Sequence, residues 1–250
     1  MTHTLLVILI VFIVGSVTTY LKITIDRIFL VLLLVLWMGF GIQQAVVINA
    51  LVMLLASLLF VRGARPQLAQ LPGRVTWSVV TLSFIGGIFG RWIGLQMSSR
   101  GLLLILGIYA VLIGLRLLLI KPKMVPDGKM QAGASVIPFI FSILTGLISA
   151  GGKPLQIPVL VKAFKLSMPQ AYLVASLGTI ASTVGFLTGE LWFTKVILLS
   201  NLAWSWIYFV GISVVMYIFE PLWKPKAQKW VTLLVGILLT VVGIKLIIGL

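Results

Sequence analysis

Ten apolar stretches run along the whole chain, and short polar breaks or breaks containing Gly and Pro separate them. A helix needs about 20 mostly apolar residues to cross a bilayer, with a usable range of about 17 to 25. Some stretches reach that length and others fall short of it. The predicted helical segments are Leu5–Tyr20, Ile28–Ile42, Ala45–Val61, Val75–Met97, Leu102–Ile120, Ala134–Ala150, Leu155–Phe164, Ala171–Gly189, Val196–Phe219 and Trp230–Leu250. The pattern predicts an all-α polytopic integral membrane protein with eight to ten helical segments, some of them short or re-entrant.

The segments fall into two sets of five, in which two short segments precede three longer ones. Gly107 and Gly114 in the last segment of the first set recur as Gly236 and Gly243 in the last segment of the second, at an offset of 129 residues in both cases. Chance recurrence is the alternative, because membrane helices are rich in glycine. We expect a single transmembrane domain over residues 1–250, with a first repeat at 1–120, a linker at 121–133 and a second repeat at 134–250.

Composition and charge narrow the class of protein further. Hydrophobic residues make up 61% of the chain and charged residues only 9%, whereas a soluble domain carries about 25% charged residues. Lys and Arg outnumber Asp and Glu by 19 to 4. They are scattered between apolar runs, which is typical of the cytoplasmic loops of a membrane protein and not of a nucleic-acid-binding surface.

The distribution of basic residues also predicts an orientation. If successive segments change sides, 13 of the 19 basic residues fall in loops on one side, which should be cytoplasmic. Both termini then lie outside. Because five is an odd number, the two repeats run in opposite directions, as in secondary transporters with inverted repeats. The linker at 121–133 is predicted to be cytoplasmic.

Chemistry that depends on metals or on many catalytic groups is unfavourable here. The chain has no Cys, one His and four acidic residues. Zinc and non-haem iron sites need several such ligands. We therefore expect no cofactor and no enzymatic activity.

The strongest local pattern lies between the sixth and seventh segments. Ala134–Ala150 would rise only about 25 Å at 1.5 Å per residue, which is shorter than the hydrocarbon core of about 30 Å. Two glycines and a proline then predict a turn within or near the membrane, where irregular backbone must be buried or line a cavity. Free amides and a helix N-terminus form an anion site. The predicted substrate-binding residues are Ser149, Gly151, Gly152, Lys153, Pro154 and Gln156. The alternative is a tight extracellular turn with a solvated lysine.

A second wall of this site is predicted from the third and eighth segments. The third segment and the residues just before it carry the polar residues Gln43, Gln44 and Asn49. The eighth segment and the residue just before it carry Gln170, Ser176, Thr179, Ser182 and Thr183. Ser176, Thr179 and Thr183 share one helix face because they are spaced at i, i+3 and i+7. Such a stripe suits either substrate contact or close helix packing, and both interpretations stay open.

Charged residues inside a membrane segment are usually functional, and Arg91 is the clearest case. It is a further candidate for substrate binding, although its position six residues before Met97 favours a side chain that extends to the outer interface. Glu190 and Lys195 are expected to flank a solvated outer loop, with a coupling proton on Glu190 as the weaker alternative.

The stretch Gly146–Pro158, continued by Pro169–Leu177 and by Ser182 and Thr183, resembles the sulfite exporter TauE/SafE family of membrane transporters. Gly107–Leu118 and Gly236–Ile247 are also similar to the ends of that family's repeats. The resemblance implies movement of small anions, often sulfur-containing ones such as sulfite or sulfonates, across a prokaryotic cytoplasmic membrane. Two departures stand out: Lys153 replaces a third glycine, and residues 15–20 lack the glycine run and proline of a first-half motif.

Together these features predict a multi-pass transporter of a small anion such as sulfite or an organosulfonate, working by alternating access. Export is the direction that the family suggests, and the residues themselves leave it open. The alternative is a non-transporting membrane subunit or scaffold derived from such a transporter. The expected partners are a small anionic substrate and membrane lipid, without nucleic acid, and a homodimer is left open.

Overall fold

The computed structural model describes residues 3–21, 28–119, 136–150, 153–195, 199–222 and 224–249. Over these residues the protein is helical and contains no strand. The helices are α1 (His3–Leu21), α2 (Ile28–Leu36), α3 (Ile42–Gly63), α4 (Arg65–Leu68), α5 (Gly73–Gln96), α6 (Ser99–Leu119), α7 (Val136–Ile148), α8 (Lys153–Phe164), α9 (Met168–Thr194), α10 (Leu199–Phe219), a 3-10 turn at Glu220–Leu222, and α11 (Pro225–Ile248). Every predicted segment has its helix, and the all-α polytopic class is confirmed.

Helix lengths divide into two groups. Seven helices within the described ranges are long and apolar enough to cross a bilayer: α1, α3, α5, α6, α9, α10 and α11. The helices α2, α7 and α8 have 9, 13 and 12 residues. At 1.5 Å per residue, α7 rises only about 20 Å, so it is too short to cross a hydrocarbon core of about 30 Å. The predicted short segments are therefore short in the structure as well, and α2 ends at Leu36, six residues before the predicted end.

The short helix α2 is surrounded by protein. Its sequence is apolar at every position, and Ile28 through Leu34 are all buried. A helix that is hydrophobic all round belongs in an interior, not at an interface. It packs on α1 and α3, which places the start of α3 in the interior of the helical assembly.

Close pairs of long helices form the rest of the assembly. Helix α5 packs along α7 and α9, α1 packs along α10, α6 packs along α11, and α3 packs against α9 and α10. Glycine permits these close approaches: a Cβ at Gly90 of α5 would overlap the carbonyl oxygen of Ile143 in α7. Small residues are typical of membrane helix contacts because they let two backbones touch.

Large apolar side chains cover the outer surface. Trp77 and Trp192 are each 72% exposed, and Leu199 is 83% exposed. Such a surface would be unfavourable in water and is suited to lipid. Polar side chains instead lie inside the helical assembly, where they form the candidate site.

Candidate functional site

The chain leaves the helix at the end of α7, as the sequence predicts. Ser149 adopts a left-handed conformation with φ of 49°, and its N–H donates to the Thr145 carbonyl at 2.8 Å. That conformation costs a residue with a side chain about 1–2 kcal/mol. Ser149 and Ala150 are fully buried, and α8 begins at Lys153. Gly151 and Gly152 lie outside the described residues.

Asn49 of α3 is hydrogen-bonded to Ser149, the residue that follows α7. Its Nδ2 donates to the Ser149 carbonyl at 2.7 Å and lies 3.4 Å from the Ser149 hydroxyl. The last carbonyls of a helix have no partner within the helix, so this amide satisfies one of them. Asn49 is fully buried. The predicted proximity of Asn49 and the α7–α8 break is therefore present in the structure.

Lys153 lies at the first position of α8 and reaches towards α3 and α9. Its Nζ is 3.5 Å from the Ser57 hydroxyl and 5.9 Å from the centre of the Tyr172 ring. The Tyr172 ring in turn packs edge-on against Phe60 of α3, with ring centres 4.9 Å apart. Lys153 is half-buried. Its ammonium group is thus set between two membrane-spanning helices, which differs from the alternative of a lysine in a solvated turn.

One face of α9 follows α3 along most of its length. Its members are spaced alternately by four and three residues: Tyr172, Ser176, Thr179, Thr183, Phe186 and Glu190. This spacing keeps them on one side of the helix. We call this set the α9 polar face. Tyr172 contacts α3 at one end, and Glu190 is linked to the start of α3 at the other, so the two helices run antiparallel.

Hydroxyl groups in the middle of the α9 polar face differ in their bonding. Ser176 and Thr179 donate to carbonyls of their own helix at 2.8 and 2.9 Å, as helix packing would require. Thr183 is fully buried, and its Oγ1 has no hydrogen-bond partner in the described part of the chain. The neighbouring Ser182 packs its backbone against Gly87 of α5.

Several other buried oxygen atoms near this face also lack partners among the described residues: Asn49 Oδ1, Gln156 Oε1 and Ser83 Oγ. Gln156 and Ser83 both approach Gly178 of α9, since a Cβ there would lie 3.7 Å from Gln156 Oε1 and 3.2 Å from Ser83 Oγ. Buried polar atoms in proteins are nearly always hydrogen-bonded. Asn49 lies at the α7–α8 break, and Gln156 and Ser83 lie at Gly178. Buried polar atoms of this kind are suited to contact with water or a polar solute.

Arg91 is buried, so the prediction that it extends to the outer interface is wrong. Its side chain is 1% exposed. Nε donates to Glu190 Oε2, Nη1 donates to Gln43 Oε1 at 2.6 Å, and the guanidinium lies over the Phe186 ring at 4.7 Å. The physical reason is local packing: because glycines of α5 let α7 and α9 approach closely, the side chain has no path to the surface.

Glu190 was expected in a solvated loop, and this expectation is also wrong. Helix α9 continues to Thr194, and the Glu190 side chain is 9% exposed and paired with Arg91. Lys195 caps the helix in a left-handed conformation and is exposed. The signal available in the sequence was the seven-residue spacing from Thr183 to Glu190, which places both on one helix face with Phe186 between them.

The remaining predicted residues lie around this arrangement. Gln43 is half-buried and donates through Nε2 to the Gly94 carbonyl at 2.9 Å. Gln44 is half-buried beside it, and Pro154 is in the first turn of α8. Within the described ranges, no group of three or more His, Asp or Glu side chains could hold a metal ion.

These observations define a multi-pass helical membrane protein with buried polar and charged side chains between its spanning helices. The family model described as Sulfite exporter TauE/SafE matches residues 7–246. The chain therefore belongs to the TauE/SafE sulfite exporter family, and the resemblance seen in the sequence is confirmed. This membership implies a membrane transporter, and the substrates that the family implies are sulfite and other sulfur-containing anions. Neither the curated proteins nor the solved structures include a significant match to the chain.

Proposed function

We propose that this protein moves a small oxyanion, sulfite or an organosulfonate, across the prokaryotic cytoplasmic membrane by alternating access. The observation that carries the proposal is the position of Lys153 between α3 and α9 at the α7–α8 break. Lysine is costly inside a membrane protein and usually marks a substrate or ion path. Here the ammonium lies 3.5 Å from the Ser57 hydroxyl and 5.9 Å from the centre of the Tyr172 ring.

The start of α8 adds to the attraction for an anion. Lys153 is the first residue of a 12-residue helix, so its ammonium and the positive end of the helix dipole coincide. The hydroxyl of Thr183 can donate to an oxyanion, while Gln156 Oε1 and Asn49 Oδ1 can accept from its hydration water or from a protonated oxyacid. The pairing of a full charge with neutral donors and acceptors supports binding of a small hydrated oxyanion.

Two inverted repeats, at residues 1–120 and 134–250 with a linker at 121–133, would supply the moving parts. If α1, α2, α3, α5 and α6 correspond in order to α7–α11, the pair α5–α7 maps onto α10–α1, and α5–α9 maps onto α10–α3. The pairs α3–α9 and α6–α11 map onto themselves. This correspondence supports a two-fold relation, and inverted-repeat transporters bind substrate where such halves meet at short helices.

The proposal extends to direction and orientation. Export follows from the family, and both termini would lie outside the cytoplasmic membrane on the charge distribution. Few acidic residues and a single His leave little for catalysis, so we infer transport and not an enzymatic step.

Proteoliposome uptake tests the proposal. Vesicles containing the protein should take up labelled sulfite or methanesulfonate with saturable kinetics, with acetate as a comparison anion. Lys153→Ala should lower the flux at least about tenfold, because a hydrogen bond to a charged group contributes about 1.5–3 kcal/mol. Lys162→Ala is the matched control, since Lys162 lies on the same helix and is exposed. Equal flux for Lys153→Ala and Lys162→Ala would refute the assigned site.

One observation favours the second candidate, a non-transporting subunit. Helix α1 stays regular through Gly15 and Tyr20 to Leu21, so residues 15–20 contain no break like the one at Ser149. A well-folded protein that carries none of the three anions would support this candidate over transport.

A further inference from the structure

We propose that Glu190 is the proton-binding group of this transporter and that Arg91 is its second anion-binding group. A proton on Glu190 would free the Arg91 guanidinium for the substrate, so that proton and anion cross together in the direction that their combined gradients set. Export then requires an outward anion gradient that exceeds the inward proton gradient. This inference rests on the proposed anion transport and adds its coupling.

Glu190 is unusual among the acidic residues that the structure describes. It is the only one within a spanning helix, since Glu220 is exposed in the 3-10 turn. A buried carboxylate in a membrane protein is costly unless it is paired, and such residues mark proton relays in many transporters. Among the described acidic residues, Glu190 is thus the one that could bind a coupling proton within the membrane.

The groups around Glu190 come from three helices. Helix α5 contributes Arg91, α3 contributes Gln43 through its bond to Arg91, and α9 contributes Thr194, whose hydroxyl lies 3.4 Å from Oε1. Helix α7 approaches Arg91 at Gly146, where a Cβ would lie 2.8 Å from the Arg91 backbone nitrogen. The half-buried cation of α8, Lys153, lies at the Tyr172 end of α9, whereas Lys162 of the same helix is exposed. Arg91 is therefore the cation that the described residues place against the Glu190 carboxylate.

Arg91 keeps other contacts that do not depend on the carboxylate. Gln43 accepts from Nη1 at 2.6 Å and is itself fixed by its bond to the Gly94 carbonyl. The Phe186 ring lies beneath the guanidinium, in the geometry of a cation–π contact. When Glu190 becomes neutral, these two contacts hold the guanidinium in position to donate Nε–H to an anion.

The exchange balances in charge and in protons. A proton from water adds to Glu190 Oε2, the hydrogen bond from Arg91 Nε to that oxygen breaks, and Nε–H is donated to the anion. Release of the anion reverses these steps and returns the proton to water. Without protonation, an anion at Arg91 would leave a buried carboxylate unpaired, which is strongly unfavourable. Proton binding and anion binding therefore favour each other, and the linkage is reciprocal.

The two cations mark opposite ends of the α9 polar face. From Ser57, beside Lys153, to Gln43, beside Arg91, α3 rises about 21 Å at 1.5 Å per residue. Thr179 and Thr183 lie between these ends on α9. An anion that leaves Lys153 along this face meets Arg91 next, which is where the coupling proton would be needed.

The decisive experiment uses full-length protein in liposomes with an imposed pH gradient and labelled methanesulfonate, an anion of constant charge, together with sulfite. An inward proton gradient should drive accumulation by the wild type. Glu190→Gln, which imitates the protonated acid, should still exchange labelled for unlabelled anion. Its gradient-driven accumulation should be at least about fivefold lower than that of the wild type. Glu220→Gln should behave as the wild type, and Glu190→Asp, which keeps a carboxylate, should retain coupling.

A second measurement tests the proton directly. Infrared difference spectra of purified protein should show a protonated carboxylic acid on addition of the transported anion, and Glu190→Gln should lack this band. If Glu190→Gln accumulates anion in response to the pH gradient as well as the wild type does, or if the band persists in it, the assignment of Glu190 is wrong. If the wild type carries neither anion, the proposed transport function itself is wrong.

Discussion

Gly107 of α6 lies directly against Gly243 of α11. A Cβ at Gly107 would be 3.0 Å from the Gly243 carbonyl oxygen, and a Cβ at Gly243 would be 2.6 Å from the Gly107 carbonyl oxygen. Further along the same crossing, Gly114 meets Gly236 in the same way. The sequence repeat equates Gly107 with Gly236 and Gly114 with Gly243. The contact between Gly107 and Gly243 is therefore equivalent to the contact between Gly236 and Gly114. Two matching contacts of this kind are the pattern that a two-fold axis produces, and they support antiparallel repeats.

This crossing predicts a specific loss of stability. Gly243→Ala should lower the free energy of unfolding by about 1–3 kcal/mol, because the added methyl group overpacks a backbone contact. Thermal unfolding of the purified protein in detergent measures the effect. Gly63→Ala is the control, since a Cβ there meets nothing within 4 Å. Equal unfolding temperatures for the two variants would show that the crossing is looser than described.

The buried ion pair predicts an asymmetry between single and double substitutions. Arg91→Ala leaves the Glu190 carboxylate buried without its cation and should destabilise the protein by about 3–5 kcal/mol. The double variant Arg91→Met with Glu190→Leu should recover most of that loss, because it buries no unpaired charge. Denaturation in detergent, with the exposed Arg100→Ala as control, separates the cases. A double variant less stable than Arg91→Ala would contradict this interpretation of the pair.

Asn49 provides a test of the interior path for an anion. Asn49→Ala removes the donor to the buried Ser149 carbonyl and should cost about 1–3 kcal/mol of stability. Asn49→Asp removes the same donor and also adds a negative charge beside the α7–α8 break. Its anion flux should therefore fall well below that of Asn49→Ala in liposomes. Equal fluxes in the two variants would place the anion path elsewhere.

The orientation predicted from charge can be tested in intact cells. Epitope tags at either terminus should be accessible from outside, whereas a tag within residues 121–133 should become accessible only after the membrane is permeabilised. This follows from the 13 basic residues assigned to one side. A tag at the C-terminus that is reached only in permeabilised cells would contradict the inverted arrangement of the repeats.

The helices and the break after α7 could be predicted from sequence because length and hydrophobicity determine them locally. The burial and pairing of Arg91 and Glu190 could not be predicted, because the two residues are 99 positions apart in the sequence. Whether such side chains lie at the interface or in the interior depends on which helices pack over α5. Gln170 illustrates the same limit. It was expected to face Gln43, but the antiparallel packing of α3 and α9 puts it at the far end, where it forms a capping box with Ser167.

Counterflow tests the central claim of an alternating-access anion carrier most directly. Liposomes loaded with unlabelled sulfite and diluted into a trace of labelled sulfite should accumulate label transiently above its equilibrium level. A carrier produces this overshoot because its site faces one side at a time, and Lys153→Ala should abolish it while Lys162→Ala should not. Label that rises only to equilibrium would indicate a channel, and no uptake at all would indicate a protein that does not transport sulfite; either result would contradict the account.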